Sequence, residues 1–315
     1  MAGVIICIHG LRNKPEEKLL SDWWKRSIME GLSINGCSVK DFKFELVYWA
    51  DYLHAEPLSI GERNRKSPIY IENPYLPFSG YTPHSAGLRR QRWLDKLEEK
   101  MDKILLHYPN ANRFNWIEDK IIYRLFPDLY NYYYYPDKNH KSIKKVLRDR
   151  LFSILFRHRR KKIMLISHSM GSIIAYDVLA GLCSTRGIQV HVFITIGSPL
   201  GLPFIMKKLM YEHHSELNEC GQLPTPETIW HEWYNFSDLE DKVAINYDLG
   251  DDYAENSSGV KPVDIIVQNM YINNGKRNPH SIYGYLRTRE LASAVCQFLT
   301  ESEPIWKQIK RFIRF

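Results

Sequence analysis

The stretch Lys161 to Ala180, KKIMLISHSMGSIIAYDVLA, decides the fold. Ile163, Met164, Leu165 and Ile166 form a short continuous apolar run, the mark of a strand buried on both faces. Ile173, Ile174, Tyr176, Val178 and Leu179 then recur as the apolar stripe of a helix. Only Ser167-His168-Ser169-Met170-Gly171 lies between, so strand must become helix within one sharp turn. Side chains flanking the apex of such a turn must be small, and Ser167 and Gly171 are. Ser169 is expected at the apex, in a strained backbone conformation that pushes its hydroxyl out at the carboxyl end of the sheet.

Outward from this stretch, apolar runs and helical stripes alternate. Strands are predicted at Val4–Ile8, Phe42–Trp49, Val190–Ile196, Trp230–Phe236 and Val263–Asn269. Helices are predicted around Leu20, Trp23, Trp24 and Met29, at Ile143–Phe156, at Phe204–His213, and through Leu291, Val295 and Phe298. Such alternation predicts an α/β fold with a mostly parallel central sheet flanked by helices. Residues 1–51 and 161–303 are expected to form the core, with 141–160 as its crossover helix. Residues 52–140 are far longer than an ordinary crossover and are expected as a helical and loop insertion that caps the site. Within it, Trp93 to Leu105 has helical spacing, and the tyrosine run at 131–136 is expected to be a loop.

Four features, in this order along the chain, resemble the α/β-hydrolase superfamily, serine lipase and esterase branch. The first strand ends in His9-Gly10-Leu11-Arg12; the Ser167–Gly171 turn resembles the nucleophile elbow, with Ser167 in place of its usual first glycine; the next strand ends in Gly197-Ser198-Pro199; and acidic and histidine loops follow. The resemblance implies Ser169 as nucleophile and the N–H groups of Leu11 and Met170 as oxyanion donors. His9, Gly10, Ser167 and Gly171 then support these loops. It places the acid in the loop Ser237-Asp238-Leu239-Glu240-Asp241, where Asp241 is the candidate and Asp238 the alternative. It places the base at His280, in the loop after the last strand. His213, His214 and His231 precede or flank the acid strand and fail the chain order, and the His168 side chain is expected to point away from the serine.

The implied activity is cleavage of a lipid-like carboxylic ester through an acyl-enzyme, with no cofactor and no metal. Thioesterase or amidase action on the same triad, a membrane-acting effector lipase, and a non-catalytic binding module on the same fold stay open alternatives. The net charge of +7 suits an anionic partner or plain solubility. Residues 304–315 would form a basic amphipathic helix, able to lie on an anionic membrane surface or to dock on its own domain. The basic run Arg157 to Lys162 comes without any nucleic-acid-binding motif, so no nucleic acid is expected. Five scattered cysteines without CxxC spacing predict neither a disulfide framework nor a zinc site, and Cys7 and Cys296 are expected in the core. Without a leader-like or membrane-spanning apolar run, a cytoplasmic location is expected, with a peripheral membrane position through the tail left open.

Overall fold

The computed structural model describes residues 3–78, 127–134, 142–244 and 246–300. Most of the insertion beyond Phe78 and the whole basic tail of residues 304–315 lie outside the described residues, as does the helix expected from Trp93 to Leu105.

Six strands make one sheet: β1 (Val4–Ile8), β2 (Lys43–Val47), β3 (Ile163–His168), β4 (Val190–Ile196), β5 (Ile229–Asp238) and β6 (Pro262–Val267). Their order is β2-β1-β3-β4-β5-β6, and every neighbouring pair is parallel. The strand order reverses at β1, whose neighbours are β2 on one side and β3 on the other. In open α/β sheets that reversal opens a crevice at the carboxyl ends of the strands, where ligands bind. The register places Ile8 beside Ser167, so the loops after β1 and β3 leave the sheet side by side at this crevice.

Parallel crossovers put helices on both faces, which explains why β1, β3 and β4 are buried along their whole length. Successive side chains of a strand point to opposite faces. Val4, Ile6, Ile8 and Leu165 accordingly face one apolar layer, and Ile5, Cys7, Met164 and Ile166 face the other. The second layer is closed by α1 (Glu17–Ile34), through Leu20, Trp24 and Ile28, and by the last helix, Arg289–Thr300, through Leu291, Val295 and Phe298. The first layer is closed by α2 (Pro127–Tyr134), α3 (Ile143–His158), α4 (Met170–Asp177) and α5 (Pro203–Glu212). The last helix is α6.

Two expectations are corrected. The tyrosine run expected as a loop contributes to helix α2, because Leu129 and Tyr132 sink into the core and the Tyr132 hydroxyl donates to buried Asp177 at 2.5 Å. Tyrosine's indifferent helix propensity is overridden by that burial. The cysteines do form a disulfide: Cys37, just past α1, is bonded to Cys296 in α6 across a sequence separation of 259. Cys37 is partly buried at the edge of the second layer and its partner is most of the chain away, so spacing carried no sign of the pair. The bond ties together the two helices that close the second layer.

Cys296→Ser should lower the unfolding free energy by about 2–5 kcal/mol, the usual range for a native cross-link. Urea denaturation of the oxidised wild-type chain and the variant, compared by midpoint and slope, checks this.

Candidate active site

Ser169 lies between β3 and α4 with φ 53 and ψ −129. A side chain in this region of backbone space costs about 1–3 kcal/mol and persists only where the surroundings impose it. They do so here. The Ser169 N–H donates to Ile196 O at 2.9 Å, and the Ser169 carbonyl accepts from the Ser172 N–H at 2.9 Å and the Ser172 hydroxyl at 2.6 Å. The Ser172 hydroxyl also meets the Ser198 hydroxyl, 2.7 Å away, in the loop after β4. The Ser169 side chain itself makes no hydrogen bond among the described residues.

The loop after β1 lies directly against this turn. A Cβ on Gly10 would stand 2.6 Å from Ser169 Cβ, and one on Gly171 would stand 2.8 Å from the carbonyl oxygens of both Ile8 and His9. These positions admit only glycine because the space is held by backbone carbonyls and by the Ser169 Cβ, none of which can swing aside. Ser167 is fully buried and donates its hydroxyl to Ile194 O at 3.0 Å, closing the turn on its other side. Met170 opens α4, so its N–H has no acceptor four residues back within that helix.

His9 is buried and builds the β1 loop rather than facing outward. Its Nδ1–H donates to Gly10 O at 2.9 Å, its Nε2 accepts from the Trp49 N–H at 3.1 Å, and the Trp49 indole N–H donates to His9 O at 3.1 Å. The two rings stack with centroids 4.4 Å apart. Burial first, then the charge of Lys14, pushes its pKa well below the usual value, so the neutral tautomer that these bonds require is kept. Lys14 is itself pushed down to about 7, chiefly by burial, with the Asp128 carboxylate pulling the other way.

At the far side of the same sheet edge, His280 Nδ1 meets Asp241 Oδ2 at 2.8 Å. A carboxylate can only accept, so Nδ1 carries the proton and Nε2 is left as the basic nitrogen. Asp241 is buried, and its Oδ2 also accepts from the Tyr285 hydroxyl at 2.8 Å, while Oδ1 accepts from the Val243 N–H at 2.9 Å. Asp238, the alternative acid, is engaged elsewhere. It accepts from the Asn269 N–H at 2.6 Å and the Glu240 N–H at 2.8 Å and pairs with Arg277, whose guanidinium also reaches Glu240 at 2.9 Å. Asp238 therefore holds the acid loop to the histidine loop. Burial raises its pKa against the pull of those bonds and of Arg277.

His168 points away from the serine, onto the histidine loop. Its Nε2 donates to His280 O at 3.1 Å and its ring lies 4.6 Å from that of His280. Burial leads in pushing its pKa well down, with the neighbouring His280 adding to it. His213 donates to Asp177 at 2.8 Å, at the far end of α4.

The structure thus brings Asp241 and His280 into contact and sets Ser169, Gly10 and Leu11 at the neighbouring strand ends. The sequence reading gave no role in this arrangement to three residues on which it depends. Tyr285 bridges the Asp238 N–H and Asp241. Asp128 accepts from the Arg12 N–H at 2.6 Å. Gly197, whose φ is 52, has no room for a Cβ, which would stand 2.7 Å from Asp241 Oδ2 and 3.0 Å from His280 Nδ1. A glycine ending a buried strand is the one signal that pointed to the last of these. Among the described residues, no group of three or more His, Cys, Asp or Glu side chains could hold a metal ion.

No protein-family model matches the chain, and no curated protein matches it.

Gly197→Ala should push the Asp241–His280 pair apart and cost about 1–3 kcal/mol of stability, as overpacked buried positions do. Thermal unfolding of the variant, with the His280 imidazole proton followed by NMR, checks both effects.

Proposed function

We propose that this chain is a serine hydrolase of the α/β-hydrolase type that cleaves a carboxylic ester, with residues 52–140 acting as its cap. The observation that carries the reading is the backbone of Ser169, held at φ 53 at the strand-order reversal of a parallel sheet whose same edge bears the Asp241–His280 pair. A strained serine between strand and helix is costly, and the reading is that its hydroxyl is used.

A serine hydroxyl is a weak nucleophile until a base takes its proton. In this reading His280 Nε2 is that base, and Asp241 holds the imidazole in the tautomer that frees it and stabilises its positive charge after transfer. The Ser169 oxygen attacks the acyl carbonyl, and the oxyanion is met by the N–H groups of Leu11 and Met170. Collapse of the tetrahedral intermediate expels the alcohol, protonated by His280, and leaves an acyl-enzyme. Water, deprotonated by the same imidazole, releases the acid. Each preorganised donor typically contributes about 3 kcal/mol to lowering the barrier.

The substrate class, a lipid-like ester, is taken from the sequence resemblance; the basic pattern of residues 304–315 suits either an anionic membrane surface or docking on its own domain. No helix among the described residues is long and apolar enough to cross a membrane. The Cys37–Cys296 disulfide favours an oxidising compartment over the expected cytoplasm, since glutathione and thioredoxin keep cytosolic thiols reduced. That one observation moves the effector lipase, acting outside the cell that makes it, to second reading. Thiol alkylation of the protein as isolated from its source decides between them: one blocked pair supports an oxidising site of action, full alkylation the cytoplasm.

A fluorophosphonate probe should label the wild-type chain and leave Ser169→Ala unlabelled; equal labelling removes Ser169 as nucleophile. With p-nitrophenyl esters of increasing chain length, Asp241→Asn should lower kcat by roughly 10⁴-fold, as loss of the tautomer-fixing acid does in such relays. Asp238→Asn should act mainly on stability, and a larger kcat loss from Asp238→Asn reverses the assignment of the acid.

A further inference from the structure

The insertion ends in a side chain that reaches the oxyanion loop. Asp128, in the first turn of α2, is buried and accepts the Arg12 N–H at 2.6 Å. From the other side, Lys14 Nζ donates to Leu11 O, and to Arg12 O at 2.9 Å. The Leu11–Arg12 peptide is therefore gripped at both poles, its carbonyl by the Lys14 amine and its N–H by a carboxylate. The carboxylate's charge matches the N–H end of the peptide dipole, and a charge-assisted bond of this kind is roughly twice as strong as a neutral one.

This peptide needs holding. Arg12 has φ 70, in the left-handed region, which costs a side-chain-bearing residue about 1–2 kcal/mol. A flip of the Leu11–Arg12 plane would relieve Arg12 and would break both bonds. The preceding plane, Gly10–Leu11, contains the Leu11 N–H itself, and its carbonyl is already held by His9 Nδ1 at 2.9 Å. Two successive peptide planes are thus fixed by side chains. Of the side chains in this grip, Asp128 is the one that the insertion supplies. Its helix is anchored independently, by Leu129 and Tyr132 in the core and by the Tyr132 bond to Asp177 at the end of α4. His54 Nε2 stands 3.9 Å from the same carboxylate. Burial works against the ionised form of Asp128, but neighbouring His54, the bond from the Arg12 N–H and nearby Lys14 together keep its carboxyl below the usual range.

We propose that Asp128 is a positioning residue for the oxyanion donor: paired with Lys14 across the Leu11–Arg12 peptide, it keeps the Leu11 N–H oriented for the transition state without touching substrate. The assignment rests on the reading of Ser169 as nucleophile. It makes the return limb of the insertion part of the catalytic scaffold.

The test uses the full chain and three readouts, with kcat normalised to Ser169 sites titrated by fluorophosphonate. Asp128→Ala should lower kcat roughly 10–100-fold with KM unchanged, the effect of a misplaced transition-state group. Asp128→Asn keeps an acceptor oxygen without the charge and should fall between the two. A trifluoromethyl ketone, whose adduct with serine carries the oxyanion, should bind each variant more weakly by the same factor as its loss in kcat. Normal kcat and normal ketone affinity in a folded Asp128→Ala would overturn the proposal, as would a raised KM at unchanged kcat. If Asp128→Ala does not fold, wild-type kcat and ketone affinity in Asp128→Asn, together with a lowered melting temperature, would mark Asp128 as merely structural. Failure of the wild-type chain to label or turn over esters overturns the hydrolase reading itself, and is recognised before any variant is compared.

Discussion

Everything at the candidate site depends on two strand ends lying closer together than side chains allow. The parallel register sets Ile8 beside Ser167, and the loop after β1 then meets the turn after β3 backbone to side chain. Gly10 and Gly171 are the two positions where a Cβ would collide, with Ser169 Cβ and with the carbonyls of Ile8 and His9. That contact gives Ser169 its strained backbone a fixed surface to press on. Without it, a serine at φ 53 would relax into the ordinary start of a helix.

The same solution recurs across the sheet edge. Gly197, at φ 52, leaves the space that Asp241 and His280 share. Around that pair the structure spends its polar groups on orientation. Tyr285 and the Val243 N–H hold the Asp241 carboxylate, His168 holds the His280 carbonyl, and Asp238 with Arg277 joins the two loops. A buried carboxylate that accepts three hydrogen bonds keeps its place at little further cost, because its desolvation is offset by the bonds it accepts. The two aspartates of one loop thus do separate work: one orients an imidazole, the other staples backbone.

Both described limbs of the insertion return to these loops. On the outgoing limb, Asn13 Nδ2 donates to Glu56 O at 2.7 Å, the Leu58 N–H donates to Lys14 O at 2.9 Å, and the Tyr271 hydroxyl donates to Pro74 O. Tyr75 packs edge-on against Tyr283, three residues past His280, with centroids 5.7 Å apart. On the return limb Asp128 takes the Arg12 N–H. The disulfide adds a third restraint, tying the end of α1 to α6 behind the histidine loop.

Patterns of local origin were legible in the amino-acid sequence alone. Each buried strand shows itself as an apolar run, and each of the long helices α1, α3, α5 and α6 shows a stripe, since burial acts on successive residues of one element. The turn at Ser169 was legible because a sharp bend demands small neighbours at fixed offsets. What only the tertiary structure decided involves residues far apart in the chain. Asp241 and Asp238 are equally acidic and three positions apart; the fold alone puts one against His280 and the other against Arg277. Cys37 and Cys296 carry no mutual signal, and neither do Asp128 and Arg12. The tyrosine run became helical through burial rather than propensity. Local periodicity records which face of an element is dry, but a pairing between distant side chains is set by where the sheet carries them, and that is a property of the assembled chain.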